Sequence, residues 1–189
     1  MKIYTRRGDD GTTGLLFGGR VAKDSAVVAA NGAVDEAQCA LGVVRSLVER
    51  GSHLDDLLVG VERDLYVLMA ELATAEANRR KLEPGVSLVT AEMITALEGQ
   101  IDDLTGRFPP LTDFVIPGHD QVSAGLDVAR TVVRRAEREA IGASPPASLV
   151  VQYLNRLSDL VWTMARWHEQ GDSLLSRQAP TMPDPSRSA

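Results

Sequence analysis

The chain has 189 residues, 44% of them hydrophobic and 24% charged, which suits one soluble domain with a real core. A net charge of -6 argues against a nucleic-acid surface, and the single cysteine, Cys39, excludes an intramolecular disulfide framework and a Cys-based zinc site. No apolar run approaches the roughly 18 residues of a membrane span, and the start MKIYTRRGDDG lacks a secretory apolar region, so the expected location is the cytoplasm.

Residues 1–23 crowd Gly8, Gly11, Gly14, Gly18 and Gly19 together with Thr5, Thr12 and Thr13. Clustered glycine disfavours both helix and strand, so this stretch is expected to be an extended or looped arm. From Asp24 the pattern turns helical. Val27, Val34, Leu41 and Val48 stand seven apart, with Ala30, Ala37 and Val44 between them. A second stripe runs Leu54, Leu58, Val61, Leu65, Leu68, Leu72, and a third Ile94, Leu97, Ile101, Leu104. The fourth is Val122, Leu126, Ala129, Val133, Ala136, and the fifth Val150, Tyr153, Leu157, Leu160, Met164, Trp167. Steps of three and four place each set on one helix face. The chain therefore reads as one all-α domain: a five-helix bundle over 24–168 behind an N-terminal glycine-rich arm. Residues 169–189, with Pro180, Pro183 and Pro185, are expected to be a disordered tail.

Three constellations could carry chemistry. In the arm, successive N–H groups of a glycine-permitted loop can form an anion-binding concavity, supplemented by Arg6, Arg7, Arg20 and Lys23. It is not a Walker A loop, because Arg20 and Val21 stand where Lys and Ser/Thr are required. A flexible arm is the alternative. On the fourth helix, Arg130, Arg134, Glu137 and Arg138 share one face, which Asp127 extends. This stripe reads either as an anion site, since the arginine fork matches phosphate oxygens, or as a solvated face. On the fifth helix Asn155 and Asp159 are four apart among apolar neighbours, a polar pair expected at depth that either orients a ligand or bonds between helices. Asn31 and Asp35 form a similar pair on the first. His53, His119 and His168 complete no Glu-x-x-His motif, which disfavours a di-iron bundle.

The ordered combination Thr5-Arg-Arg-Gly8-Asp9-Asp-Gly11-Thr-Thr13, Lys23-Asp24, Gly32-Ala-Val-Asp35-Glu36, Phe114-Val-Ile-Pro117-Gly118, Arg130 through Arg138 and Tyr153-Leu-Asn155-Arg156-Leu-Ser158-Asp159 resembles the ATP:corrinoid adenosyltransferases of the propanediol-utilisation type. The resemblance spans about Met1 to His168. It implies transfer of the 5′-deoxyadenosyl group of ATP to the cobalt of cob(I)alamin, with release of triphosphate and with Mg²⁺ as cofactor. It also implies a homotrimer with active sites between subunits, and a cobalamin reductase and B12-dependent enzymes as further partners.

Carried over by position, Thr5, Arg6, Arg7, Gly8, Asp9, Gly11, Thr13, Gly14 and Lys23 hold ATP from one subunit. Arg134, Arg135, Ala136, Glu137, Arg138 and Asn155 complete that site from the neighbour, with Arg134, Asn155 and Asp159 as the catalytic set. Phe114 and His119 meet the corrinoid, and Asp35 and Arg130 form an intersubunit ion pair. Two departures stand out. His119 replaces a second glycine after Pro-Gly, a substitution disfavoured if that position needs a left-handed backbone. Val27 and Asn31 replace an arginine and a tyrosine before Gly32. The rival readings are an ATP-responsive corrinoid carrier with little turnover, which uses the same pocket, and a plain interaction bundle without one.

Overall fold

A computed structural model describes residues 3–177. The chain is mostly helical with one small sheet. Strands β1 (Thr12–Gly14) and β2 (Arg20–Ala22) form an antiparallel hairpin with Thr13 opposite Val21. The expectation that clustered glycine leaves no strand is corrected here. Gly11, Gly18 and Gly19 have φ of 80°, 100° and 99°, a left-handed backbone natural to glycine. They occupy the bends and leave the residues between them free to pair. Leu15 N–H donates to the Gly19 carbonyl over 3.0 Å and closes the loop.

All five apolar stripes are helices: α1 (Ala26–Arg45), α2 (His53–Leu72), α3 (Ala91–Thr105), α4 (Gln121–Ala143) and α5 (Val150–His168). A short 3-10 helix, Glu76–Lys81, follows α2. Ser52 and Thr90 cap α2 and α3 by accepting N–H bonds from Asp55 and Met93. Asp120 and Ser123 cap α4 reciprocally. Helix α4 packs between α1 and α5, antiparallel to both, and α3 lies on the far side of α5. A Cβ on Gly125 of α4 would stand 3.0 Å from Val44 Cγ2, so glycine lets α1 and α4 approach closely there. Leu41, Leu58, Leu65, Leu126, Val133, Leu157 and Met164 are fully buried between the helices.

Two buried charged networks tie the bundle to its connections. Glu71 at the end of α2 accepts from Arg79 Nη2 (2.8 Å), Ser148 Oγ (2.7 Å) and the Val89 N–H (2.8 Å). One carboxylate thus joins α2, the 3-10 helix, the approach to α3 and the α4–α5 connection, with its acceptor capacity well used. Asp127, read from sequence as an extension of the exposed arginine stripe, is instead buried. It accepts from Arg166 Nη2 of α5 over 2.7 Å, because the stripe dips into the α4–α5 interface at its N-terminal end. The same guanidinium reaches Glu169 (2.9 Å), which in turn accepts from Ser173 Oγ.

That last contact leads into residues expected to belong to a disordered tail. Ile116 N–H donates to the Leu174 carbonyl (2.8 Å), and Ser176 N–H donates to the Phe114 carbonyl (2.7 Å). The segment 173–177 therefore lies as a strand-like edge on the Phe114 loop, held by backbone bonds that side-chain composition does not reveal. The rest of the expected tail, 178–189, lies outside the described residues, as do the first two residues of the arm. No helix among the described residues is long and apolar enough to cross a membrane.

Candidate functional site

The arm is built as a shaped loop on a pinned hairpin. Thr5, Arg6 and Arg7 are exposed and, with Tyr4, line an open recess; Arg6 takes a left-handed φ of 59°. Lys23 N–H donates to the Gly11 carbonyl (2.9 Å), which brings the lysine back over the loop. A Cβ on Gly8 would meet Lys23 Nζ at 3.0 Å and the Thr12 carbonyl at 3.2 Å, so a bare glycine backbone is what lets the lysine amine sit there. Asp9 is exposed beside it. Asp10 is held below the ordinary carboxylate range by the Thr12 backbone N–H and hydroxyl, with Arg20 adding to the effect.

Behind the arm, Thr13 and Gly14 face Val28, Asn31 and Gly32 of α1 across a cavity of about 220 Å³. Asn31 is fixed there by donating to the Met69 carbonyl (2.9 Å). The hairpin tip is strapped to the end of α2. Leu16 N–H donates to the Ala73 carbonyl (2.8 Å), and Asn78 Nδ2 reaches the carbonyls of Phe17 (3.3 Å) and Gly18 (3.4 Å). Lys81 lies over the Phe17 ring at 5.8 Å. Sequence reasoning missed Asn78 and Lys81, because no local motif announces a docking contact about sixty residues away.

The second set of polar groups lies on α4 and α5. Asn155 Nδ2 donates to Glu137 Oε1 (3.0 Å), and Arg138 Nη1 donates to the Arg134 carbonyl (2.9 Å). Arg135 pairs with Glu36 of α1 at 2.5 Å. Arg134 is exposed, and no ion pair among the described residues engages it. Ala136 is fully buried in the core, so its side chain turns away from this surface. Asn155 and Asp159 were expected at depth; both are exposed instead. The apolar neighbours on α5 face the core, and this pair occupies the opposite stripe. Asp159 accepts from Arg156 (3.3 Å), whose Nε bonds Glu98 (2.9 Å) beside a groove between α3 and α5.

Asp35 on α1 is exposed, and it does not meet Arg130 within the chain. Arg130 lies 3.9 Å from Asp127, and its Nε is buried without a hydrogen-bond partner. Phe114 is 82% exposed at the tip of its loop, an unusual position for a large apolar ring. Gly118 takes the left-handed backbone there (φ 113°), whereas His119 does not, so histidine in place of glycine carries no left-handed strain. The adjacent Asp120 accepts from Ser123 N–H and meets His168 Nε2 at 2.8 Å. Burial pushes the Asp120 carboxyl up, but those two partners outweigh it and hold it below its usual value.

Among the described residues no hydrogen bond or ion pair joins the arm to Arg134–Arg138 or Asn155. One chain therefore carries two polar sets with no direct bond between them among the described residues, and an exposed phenylalanine loop. The chain matches the sequence model described as cobalamin adenosyltransferase over residues 3–168. It belongs to that family. A corrinoid adenosyltransferase of Mycobacterium tuberculosis is 40% identical, covering 93% of this chain and 97% of that one. One from Citrobacter freundii is 42% identical, covering 89% and 95%. A phenylalanine-to-alanine variant of a PduO-type ATP:corrinoid adenosyltransferase from Lactobacillus reuteri, complexed with cobalamin and ATP, superposes with a TM-score of 0.82. It is 31% identical and covers 94% of this chain and all of that one. The helical architecture thus agrees with that solved structure.

Proposed function

We propose that this chain transfers the 5′-deoxyadenosyl group of ATP to the cobalt of a reduced corrinoid, and that two protomers of a homotrimer build each site. The single observation that carries this reading is the division of the polar groups. The arm supplies backbone N–H groups and Lys23, Arg134 and Asn155 lie on α4 and α5, and no hydrogen bond or ion pair among the described residues links the two sets within one chain. A neighbouring protomer brings the halves together, and exposed Asp35 and half-buried Arg130 supply complementary charge for that contact.

The chemistry suits these residues. The lone pair of Co(I) attacks C5′ of ATP; the Co–C bond forms, the C5′–O bond breaks, and triphosphate leaves with the electron pair. Cobalt is the nucleophile, so the protein needs no nucleophilic Ser, Cys or His. Its task is to stabilise charge on the leaving triphosphate with prearranged donors and to hold carbon and cobalt close together. Thr5 to Gly8, Asp9, Gly11, Thr13, Gly14 and Lys23 form the nucleotide cradle, and Arg134 to Arg138 with Asn155 close it. Asp159, one turn along α5 from Asn155, joins Arg134 and Asn155 as the third member of the catalytic set. Phe114 and His119 meet the corrin, where the exposed ring excludes water from the lower face of the cobalt.

Among the described residues no three His, Cys, Asp or Glu side chains gather as a metal cage. Mg²⁺ would be held chiefly through the nucleotide, and the exposed Asp9 carboxylate of the arm is the protein group that would reach it. When bound, it neutralises charge on the triphosphate. The strongly reduced corrinoid calls for a reducing compartment, which favours the cytoplasm. Mixing the protein with ATP, Mg²⁺ and chemically reduced cobalamin in the dark should give the absorption spectrum of adenosylcobalamin and stoichiometric triphosphate. Binding without triphosphate release would instead identify a carrier.

A further inference from the structure

Arg20 opens β2 and, by sequence, is one of four arm cations offered to a phosphate. The structure commits its guanidinium inside the arm instead. Nε donates to Thr12 Oγ1 (2.9 Å), and Nη2 donates to the carbonyls of Arg7 (2.6 Å) and Thr12 (3.3 Å). Asp10 completes the cluster. It lies 3.5 Å from the guanidinium, and its Oδ1 accepts both the Thr12 N–H (2.9 Å) and the Thr12 hydroxyl (2.8 Å). The hydroxyl of Thr12 thus donates a hydrogen bond to Asp10 and accepts one from Arg20.

This fork spans the bend. Arg7 and Thr12 stand on either side of residues 8–11, and Arg20 joins both to β2. The local bonds of that segment are long: Asp9 N–H to the Arg6 carbonyl is 3.4 Å, Gly11 N–H to the Gly8 carbonyl 3.3 Å, and Arg7 N–H to Thr5 Oγ1 3.5 Å; outside the Arg20 cluster, the Lys23 N–H to the Gly11 carbonyl (2.9 Å) anchors its far end. A loop rich in glycine loses much freedom when it orders around a ligand, and that ordering subtracts from affinity. The planar arginine fork suits the bracing role better than a lysine point charge could.

We propose that Arg20 is a positioning residue for the polyphosphate: it fixes the 7–12 loop through the Arg7 carbonyl and Thr12, so that the arm's amides and Lys23 are set before the triphosphate arrives. The inference rests on the reaction proposed above and assigns Arg20 a part in it that is indirect. A direct phosphate ligand would behave differently, since it would leave the empty arm unchanged when removed.

The test uses the full chain and the variants Arg20→Ala, Arg20→Lys, Thr12→Val and Thr12→Ser. Both positions lie outside the helical core, so circular dichroism should match wild type. Hydrogen exchange at the Thr12 and Lys23 amides is read without ligand, inorganic tripolyphosphate binding by calorimetry, and turnover as KM against kcat. Arg20→Ala should speed exchange and raise both the tripolyphosphate Kd and the ATP KM by about tenfold, with kcat at saturating ATP and the corrinoid KM within about twofold, as a lost pre-ordering demands. Thr12→Val should move the same way, Thr12→Ser should stay near wild type, and Arg20→Lys should not rescue. Unchanged exchange in ligand-free Arg20→Ala, full rescue by Arg20→Lys, or a loosened arm with unaltered tripolyphosphate binding overturns the proposal. A wild-type chain that makes no adenosylcobalamin counts against the reaction, whereas the exchange and tripolyphosphate measurements judge Arg20 independently of it.

Discussion

Asn155 on α5 donates its side-chain amide to Glu137 on α4 over 3.0 Å. An exposed amide on a helix is ordinarily free to rotate; this one is aimed by a carboxylate on the neighbouring helix. With Arg134 one turn away and engaged by no ion pair among the described residues, the face presents a fixed hydrogen-bond donor beside a free guanidinium.

Arg134→Ala and Asn155→Ala should each lose on the order of 3 kcal/mol of transition-state stabilisation, about a hundredfold in kcat, which is the usual cost of one prearranged donor. Both residues are exposed, so helicity should match wild type by circular dichroism. Full turnover in either variant would remove this face from the site.

Oligomer assembly should depend on charge complementarity between Asp35 and Arg130. Asp35→Arg or Arg130→Asp alone should shift the protein from trimer to monomer in light scattering, because each places like charges together. The double exchange should restore the trimer and, with it, adenosyl transfer. A trimer that survives both single reversals would show that the two residues do not meet.

Phe114→Ala should separate activity from stability. The ring is 82% exposed, so the melting temperature should move little. Adenosylation starting from cob(II)alamin with a reductant should fall by about tenfold or more, equal to about 1.4 kcal/mol, since water or a lower ligand can then reach the cobalt. Equal loss of stability and activity would mean that the ring packs against protein.

Tyr153 gives the fold a pH dependence. Its hydroxyl donates to Asp64 over 2.8 Å, and burial first, then the Asp64 charge and hydrogen bond, push its pKa well above the usual value near 10. The folded state therefore holds the phenolic proton more tightly than the unfolded state does. The stability this contributes is complete below about pH 10 and is lost as pH rises above it, at up to about 1.4 kcal/mol per pH unit for one proton. Urea titrations across the alkaline range should show a steeper fall for wild type than for Tyr153→Phe.

The helices were legible because burial writes a period into sequence. Val34, Leu41, Leu58, Leu65, Val133 and Leu157 repeat at helical spacing, and each is buried as that spacing requires. The proposed site residues were legible only as motifs, since exposed groups such as Arg134 and Asn155 carry no packing signal. Two things escaped. The arm's hairpin was masked by its glycines, whose turn-making role at Gly11, Gly18 and Gly19 looks in composition like plain looseness. Asp127 and Arg166, thirty-nine residues apart, were hidden because a buried ion pair between helices leaves no mark on either segment alone.

The strap that fastens Leu16 to Ala73 and Asn78 to the hairpin tip makes the arm travel with its own bundle. A genetic consequence follows. With the shared site proposed above, two alleles crippled in opposite halves, one lacking Lys23 and the other lacking Arg134, should each be inactive alone. Co-expressed, they should form a mixed assembly in which an intact arm from one gene product faces an intact arginine stripe from the other, and some enzyme should return to the cell.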